Sequence, residues 1–154
     1  AATPAQEHGI RLVFLRLGIV LAPNGGALAK MLPSARLGLG GSLGSGNQWM
    51  SWIHIDDVVR AILWASLNDE VSGPYNIVAP ESVPQKDFAR ALSETLNRPC
   101  VMKVPAPLLR FTLGQMAQET VLASHRAVPQ RLLDGGFEFD WPRLSPALVN
   151  VLDR

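Results

Sequence analysis

The chain has 154 residues, 47% of them apolar and 18% charged, and 14 Lys and Arg against 13 Asp and Glu leave a net charge of +1. That is the size of one domain, and a chain of this length buries roughly 68–70% of its unfolded surface, enough for a core. The apolar content excludes disorder, the near-neutral charge removes an electrostatic case for nucleic acid or an anionic membrane, and the single cysteine, Cys100, excludes an internal disulfide.

A lone cysteine fits a reducing compartment, and residues 1–9 are polar with no signal-peptide core, so a cytoplasmic location is expected. The longest stretch without Asp, Glu, Lys or Arg, residues 37–55, holds Gly38, Gly40, Gly41, Gly44 and Gly46 and is not a membrane span. The first residue is Ala, which is expected of a processed chain or of a piece of a longer one.

In chain order, Pro4 to Gly9 reads as the end of a helix. Ile10 to Leu17 is a branched apolar run that reads as a central strand of a parallel sheet. In this chain only Tyr75 to Val78 and Val101 to Val104 are available to pair with it, so one edge is expected to stay open. Asn24-Gly25-Gly26 makes a turn, and Ala27 to Arg36 is helical until Pro33 kinks or ends it. Leu37 to Asn47 reads as a loop, and Trp49 to Ile55 as a strand.

Asp56 is the expected N-cap of a helix to Leu67, with Val58, Val59, Ile62, Leu63 and Ala65 near a 3.6 period. Ser72-Gly73-Pro74 turns the chain into a strand, Tyr75 to Val78. Ser82 with Gln85 resembles a capping box before a helix carrying Phe88, Ala91, Leu92, Thr95 and Leu96 on one face. After Pro99 come a strand at Val101–Val104, helix from Pro105 to Ser124 around Gly114, a turn or two at Pro129–Leu133 closed by Gly135-Gly136, a strand at Phe137–Phe139 and a last helix to Leu152. Alternating strands and helices define the α/β class with parallel pairing.

No catalytic constellation is convincing. The run from Gly38 to Gly46 misses the G-x-G-x-x-G spacing, because Leu43 stands where Gly is required, and it is flanked by helix then strand rather than the reverse. It reads as a connection over a cleft. His54, Asp56 and Asp57 suggest an acid–base or metal cluster, but capping and dipole neutralisation account for the aspartates. The lone tyrosine, Tyr75, has Ala79 four residues on, so a Tyr-x-x-x-Lys pair is absent, and Gly44-Ser45-Gly46 is not a nucleophile elbow. Cys100 is expected as a small core residue. Trp49 and Trp52 either wall a pocket or pack the Gly-rich connection down.

Three segments carry a resemblance: Leu15-Arg16-Leu17-Gly18-Ile19-Val20-Leu21-Ala22-Pro23, then Trp52-Ile53-His54-Ile55-Asp56-Asp57-Val58-Val59, then Gly73-Pro74-Tyr75-Asn76-Ile77. With Lys30-Met31-Leu32-Pro33, Gly44-Ser45-Gly46 and Gln48 between them, they resemble the second half of NAD(P)-dependent epimerase-like proteins of the extended short-chain dehydrogenase/reductase superfamily. Pro129 to Phe139, with Pro142, Leu144, Ala147 and Leu148, is similar to that subfamily's C-terminal domain of unknown function.

The resemblance implies a partial Rossmann-type parallel sheet with a mostly helical C-terminal substrate lobe, divided as residues 1–100 and 101–154. It places the dinucleotide fingerprint and the catalytic Tyr-Lys before residue 1, so no catalytic residue is assigned here and a fragment of a longer oxidoreductase is expected. Leu17, Gly18, Ile19 and Val20 would pass the nicotinamide end of NADP or NAD, their backbone touching the carboxamide. Trp49 and Trp52 would face the substrate, a sugar-like or other small carbonyl compound. His54, Asp56 and Asp57 would be structural. Met50 stands where nucleotide-sugar relatives carry an arginine for the diphosphate, which counts against that substrate, and Arg36 or Lys30 is the available substitute. The expected partner is the missing N-terminal half or a second copy. The competing readings are a non-enzymatic binding or oligomerisation module and a hydrolase built on His54 and Asp57.

Overall fold

A computed structural model of the chain describes residues 10–23, 25–104, 124 and 126–153. Its strands are β1 Val13–Leu17, β2 Ile19–Leu21, β3 Gly40–Leu43, β4 Trp49–Met50, β5 Trp52–His54, β6 Gly73–Ile77, β7 Val83–Pro84 and β8 Cys100–Val104. Its helices are α1 Gly26–Arg36, α2 Ile55–Leu67, α3 Gln85–Thr95, α4 Gln130–Asp134 and α5 Leu144–Leu152. The helical expectations at Pro4–Gly9 and from Pro105 to residue 123 lie outside the described residues.

β1 pairs in parallel with β6, Val13 opposite Gly73 and Leu17 opposite Ile77. This is the pairing expected of the first apolar run. β2 pairs in parallel with β5, Ile19 opposite Trp52. The single strand expected from Ile10 onward therefore ends at Gly18, where the chain changes partner. Gly18 N–H donates to the Ile77 carbonyl at 3.2 Å, and Ile19 N–H donates to the Ser51 carbonyl at 2.8 Å. A glycine is required by proximity: a Cβ there would lie 2.6 Å from the Ser51 carbonyl oxygen and 2.8 Å from Val78 Cγ1.

The opposite edge of β1 has no strand partner among the described residues. Successive residues of a parallel strand turn their backbone groups to alternate sides. The Leu12 carbonyl and the Gly18 N–H face β6, so the groups of Val13, Leu15 and Leu17 face the open edge. A groove of about 710 Å³ is lined by Val13, Phe14, Leu15 and Arg16 of β1 and Pro74 of β6.

Several sequence expectations are corrected. Pro33 does not end α1; the helix passes through it, and Leu37 N–H reaches the Pro33 carbonyl at 3.3 Å. A helical proline costs about 3 kcal/mol, and burial of Leu28, Leu32 and Ala35 on the opposite face of α1 offsets it. The Gly-rich connection is not all loop. Gly40–Leu43 forms β3 and pairs in parallel with β8, so the strand at Val101–Val104 serves β3 and not β1. Backbone approach is close there: a Cβ on Gly41 would collide with the Met102 carbonyl. This leaves Cys100 exposed rather than in the core.

Phe137–Phe139 is no strand; Phe137 instead packs edge-on against Phe139 and Trp64, centroids 4.9 and 6.0 Å away. Ser82 does not cap α3, whose N-cap is Pro84. Gln85 is buried and reaches sideways, its Oε1 accepting from Leu43 N–H at 2.9 Å and its Nε2 donating to the Gly41 carbonyl at 3.3 Å.

Two apolar cores result. One packs Leu21, Leu28, Trp52, Phe88, Leu92 and Leu148 between α1, α3 and α5. The other packs Ile53, Val58, Ala61, Tyr75, Ile77, Leu132 and Phe137 beneath α2. Each joins residues from before and after position 100.

Candidate cofactor and substrate cleft

In open α/β sheets ligands bind beyond the carboxyl ends of the strands. Here that place is the end of β1 and β6, where Leu17 is 53% exposed and Gly18, Ile19 and Val20 are half-buried. Ser51, buried beside this turn, ties it to the C-terminal part of the chain. Its carbonyl holds Ile19, and its Oγ accepts from Ala127 N–H at 2.9 Å. Ser82 Oγ lies 3.3 Å from Ser51 Oγ and donates to the Ala127 carbonyl at 3.2 Å. With Ser51 O–H donating to Ser82, the hydroxyls close a ring on both polar groups of Ala127. Asn76 Nδ2 donates to the Val128 carbonyl at 3.2 Å. Ala127 and Val128 thus lie across the start of β5 and the carboxyl end of β6.

The tryptophans take different roles. Trp49 is half-buried; its N–H donates to Ser124 Oγ at 3.0 Å, and the Arg126 guanidinium lies over its ring, 4.4 Å from the centroid. Trp52 is fully buried in the first core, and its indole N–H has no hydrogen-bond partner among the described residues. Met50 packs against the same core. Arg36 is exposed in the last turn of α1, and no hydrogen bond or ion pair among the described residues joins it to Trp49, Trp52 or the Leu17–Val20 turn.

The His54, Asp56 and Asp57 group is resolved into separate tasks. The N-cap of α2 is His54, not Asp56: His54 Nδ1 accepts from Asp56 N–H at 3.1 Å. Asp57 is fully buried and accepts from Asp140 N–H at 2.9 Å and Trp141 N–H at 3.0 Å, while Arg60 bridges Asp57 and Asp140. It pins the approach to α5 onto α2. No group of three or more His, Cys, Asp or Glu among the described residues is placed to hold a metal, and no described helix is long and apolar enough to cross a membrane. The sequence signal for Asp57 was its place in the first helical turn. Its partners, 83 and 84 residues away, left none.

Burial pushes the Asp57 carboxyl above its ordinary range. The Asp140 charge adds to this, and the two amides and Arg60 oppose it. A carboxyl whose folded-state pKa is raised contributes most below its unfolded pKa, and that contribution is lost as pH rises through the folded value. The stability of the wild type relative to Asp57→Asn is therefore expected to decline as pH rises above the ordinary carboxylate range. Urea unfolding across that range measures it; a difference that grows with pH contradicts this account of the site.

Parallel strand pairs joined by helices place the chain in the α/β class of Rossmann-type sheets. Comparison with known proteins narrows it. The family model for NAD dependent epimerases/dehydratases matches residues 2–78, and one for a domain of unknown function, DUF1731, matches residues 104–151. The chain belongs to the NAD dependent epimerase/dehydratase family.

An epimerase family protein of Mycobacterium bovis is 40% identical over 154 residues, 100% of this chain and 51% of the relative. One of Staphylococcus epidermidis is 39% identical over 151 residues, 98% and 50%. The crystal structure of human epimerase family protein SDR39U1 with NADPH matches with a TM-score of 0.87 and 35% identity, over 94% of this chain and 49% of that one. The chain spans about half the length of the curated relatives it matches.

Proposed function

We propose that the chain is the substrate-side half of an NAD(P)-dependent epimerase or oxidoreductase acting on a sugar-like or other small carbonyl compound. On this reading residues 1–100 complete the nucleotide-binding sheet and residues 101–154 form the tail that closes over it. The observation that carries the reading is the open edge of β1, which ends in an exposed turn at the carboxyl end of the sheet. A central parallel strand needs neighbours on both sides, and the nucleotide-binding half of the family supplies strands of that kind.

The turn suits the nicotinamide end of the cofactor and not its phosphates. The amides of Gly18 and Ile19 are spent on the Ile77 and Ser51 carbonyls, so no nest of free donors for a phosphate forms there. What remains is the apolar Leu17 side chain and its backbone at the open edge. When bound, the nicotinamide supplies the hydride donor or acceptor. Leu17 and Gly18 present one wall to it, and Trp49 stands on the substrate side.

The chain alone is expected to bind NADPH feebly. Adding the N-terminal half of the Mycobacterium bovis relative is expected to tighten binding about 100-fold or more, a gain of roughly 2.7 kcal/mol. Calorimetric titration of both preparations measures this, and equally tight binding by the chain alone overturns the reading. A binding or oligomerisation module is the second reading, favoured by the exposed Val59, Ile62, Leu63 and Leu67 of α2. Sedimentation as a monomer at all concentrations sinks it.

A further inference from the structure

We infer that Ser51 and Ser82 are positioning residues for the cofactor turn: their paired hydroxyls make the seating of residues 126–128 and the placing of the Leu17–Val20 turn one event. The inference deepens the functional reading above and rests on it for the word cofactor.

The three contacts of the hydroxyl ring run in one direction. Ala127 N–H donates to Ser51 Oγ at 2.9 Å, and Ser82 O–H donates to the Ala127 carbonyl at 3.2 Å. A hydroxyl has one hydrogen. That of Ser82 is spent on Ala127, so Ser51 donates in the 3.3 Å contact between the two hydroxyls. Bonds chained head to tail polarise one another, and deleting the Ser82 hydroxyl removes two of the three at once. Ser51 is buried, and its carbonyl accepts from Ile19 N–H at 2.8 Å. Gly18 is pressed against the same carbonyl, with no room for a Cβ. The turn thus rests on the Ser51 backbone by a bond and by contact, while the Ser51 side chain rests on Ala127.

The loop that leaves the carboxyl end of β6 grips the C-terminal region at two points. Glu81 Oε2 accepts from Leu144 N–H at 2.6 Å at the start of α5, where the N-cap Arg143 supplies no side-chain acceptor. Ser82, the next residue, holds the Ala127 carbonyl. Ala79, in the same loop, donates to the Trp52 carbonyl at 2.6 Å and ties the loop to β5. The tie at Ser82 continues through Ser51 to the turn. α5 and the residues before it keep their own attachments, Glu81 to Leu144 and Asp57 to the Asp140 and Trp141 amides. Opening the ring therefore releases Ala127 without undocking α5, and the wall offered to the nicotinamide shifts with it.

Residue-resolved amide hydrogen exchange on the whole chain, without NADPH, tests the coupling. Ser82→Ala is expected to speed exchange at both Ala127 and Ile19 by about tenfold or more. Leu92 and Leu148, in the first core, are expected to stay within about twofold of the wild type, which shows that the variant folds. Ser82→Thr, which keeps the hydroxyl, is expected to restore both rates. Faster exchange at Ala127 alone, or at neither residue, overturns the proposal, since a hydroxyl that merely satisfies Ala127 leaves Ile19 untouched. Calorimetric titration with the N-terminal half of the Mycobacterium bovis relative present then reads the turn. Ser82→Ala is expected to weaken NADPH binding about fivefold, and Ser82→Thr to return it. Unchanged NADPH binding by Ser82→Ala also overturns the proposal. If the wild-type pair binds no NADPH, the functional reading fails, and the exchange rates still decide whether Ala127 and Ile19 are coupled.

Discussion

Gly18→Ala is expected to destabilise the protein by about 1–3 kcal/mol, the range for forcing atoms into a filled interior. For a chain of this size that lowers the melting temperature by roughly 2–4 °C for each kcal/mol lost. The new methyl would sit 2.6 Å from the Ser51 carbonyl oxygen and 2.8 Å from Val78 Cγ1. Neither neighbour retreats cheaply. The carbonyl is the acceptor for Ile19 N–H, and Val78 is buried. Displacing Ser51 also disturbs the hydroxyl ring that seats Ala127. Gly25→Ala is the control, because a Cβ there meets nothing within 4 Å and the backbone is extended; it is expected to cost less than about 1 kcal/mol. Thermal unfolding of the two variants compares them, and equal melting temperatures contradict the tight corner at Gly18.

Leu148→Ala is expected to cost about 2–5 kcal/mol, the transfer term plus that of the cavity left behind. Leu148 is fully buried and belongs to the cluster of Leu21, Leu28, Trp52 and Phe88. With Asp57 holding the Asp140 and Trp141 amides, the region matched by DUF1731 shares its core with the sheet. The loss is expected within one cooperative unfolding transition, read by urea titration. Val149→Ala, on the exposed side of α5, is expected to change stability by less than about 0.5 kcal/mol. A second, independent transition for the variant would mean that α5 unfolds apart from the sheet.

The α/β class and the β1–β6 pairing were legible because apolar runs and 3.6-residue periods are local signals. So was the resemblance, which rested on separated motifs that agreed in order. What the sequence did not disclose depends on distant partners. Gly40–Leu43 has no β-branched residue and reads as loop, yet pairing with β8 makes it a strand. Pro33 is a local breaker overridden by the buried face of α1. Ser82 and Gln85 have the spacing of a capping box, but one hydroxyl and one amide are drawn to Ala127 and to β3 instead. The Leu17–Val20 turn, singled out for the cofactor from the resemblance, lies at the carboxyl end of β1, and Trp49, singled out for the substrate, lies in β4. The Arg126 guanidinium over the Trp49 ring left no local signal, because the two residues stand 77 positions apart in sequence.

The central claim is that β1 is an interior strand whose second neighbour belongs to the nucleotide-binding half. Residue-resolved amide hydrogen exchange tests it most directly, with the chain alone and after addition of the N-terminal half of the Mycobacterium bovis relative. The amides of Val13, Leu15 and Leu17, which face the open edge, are predicted to exchange fast in the chain alone and to slow by about 100-fold when the other half is present. Gly18, already bonded to Ile77, is predicted to change far less. Protection of Leu15 and Leu17 in the chain alone, or no gain in protection on adding the other half, would contradict the account.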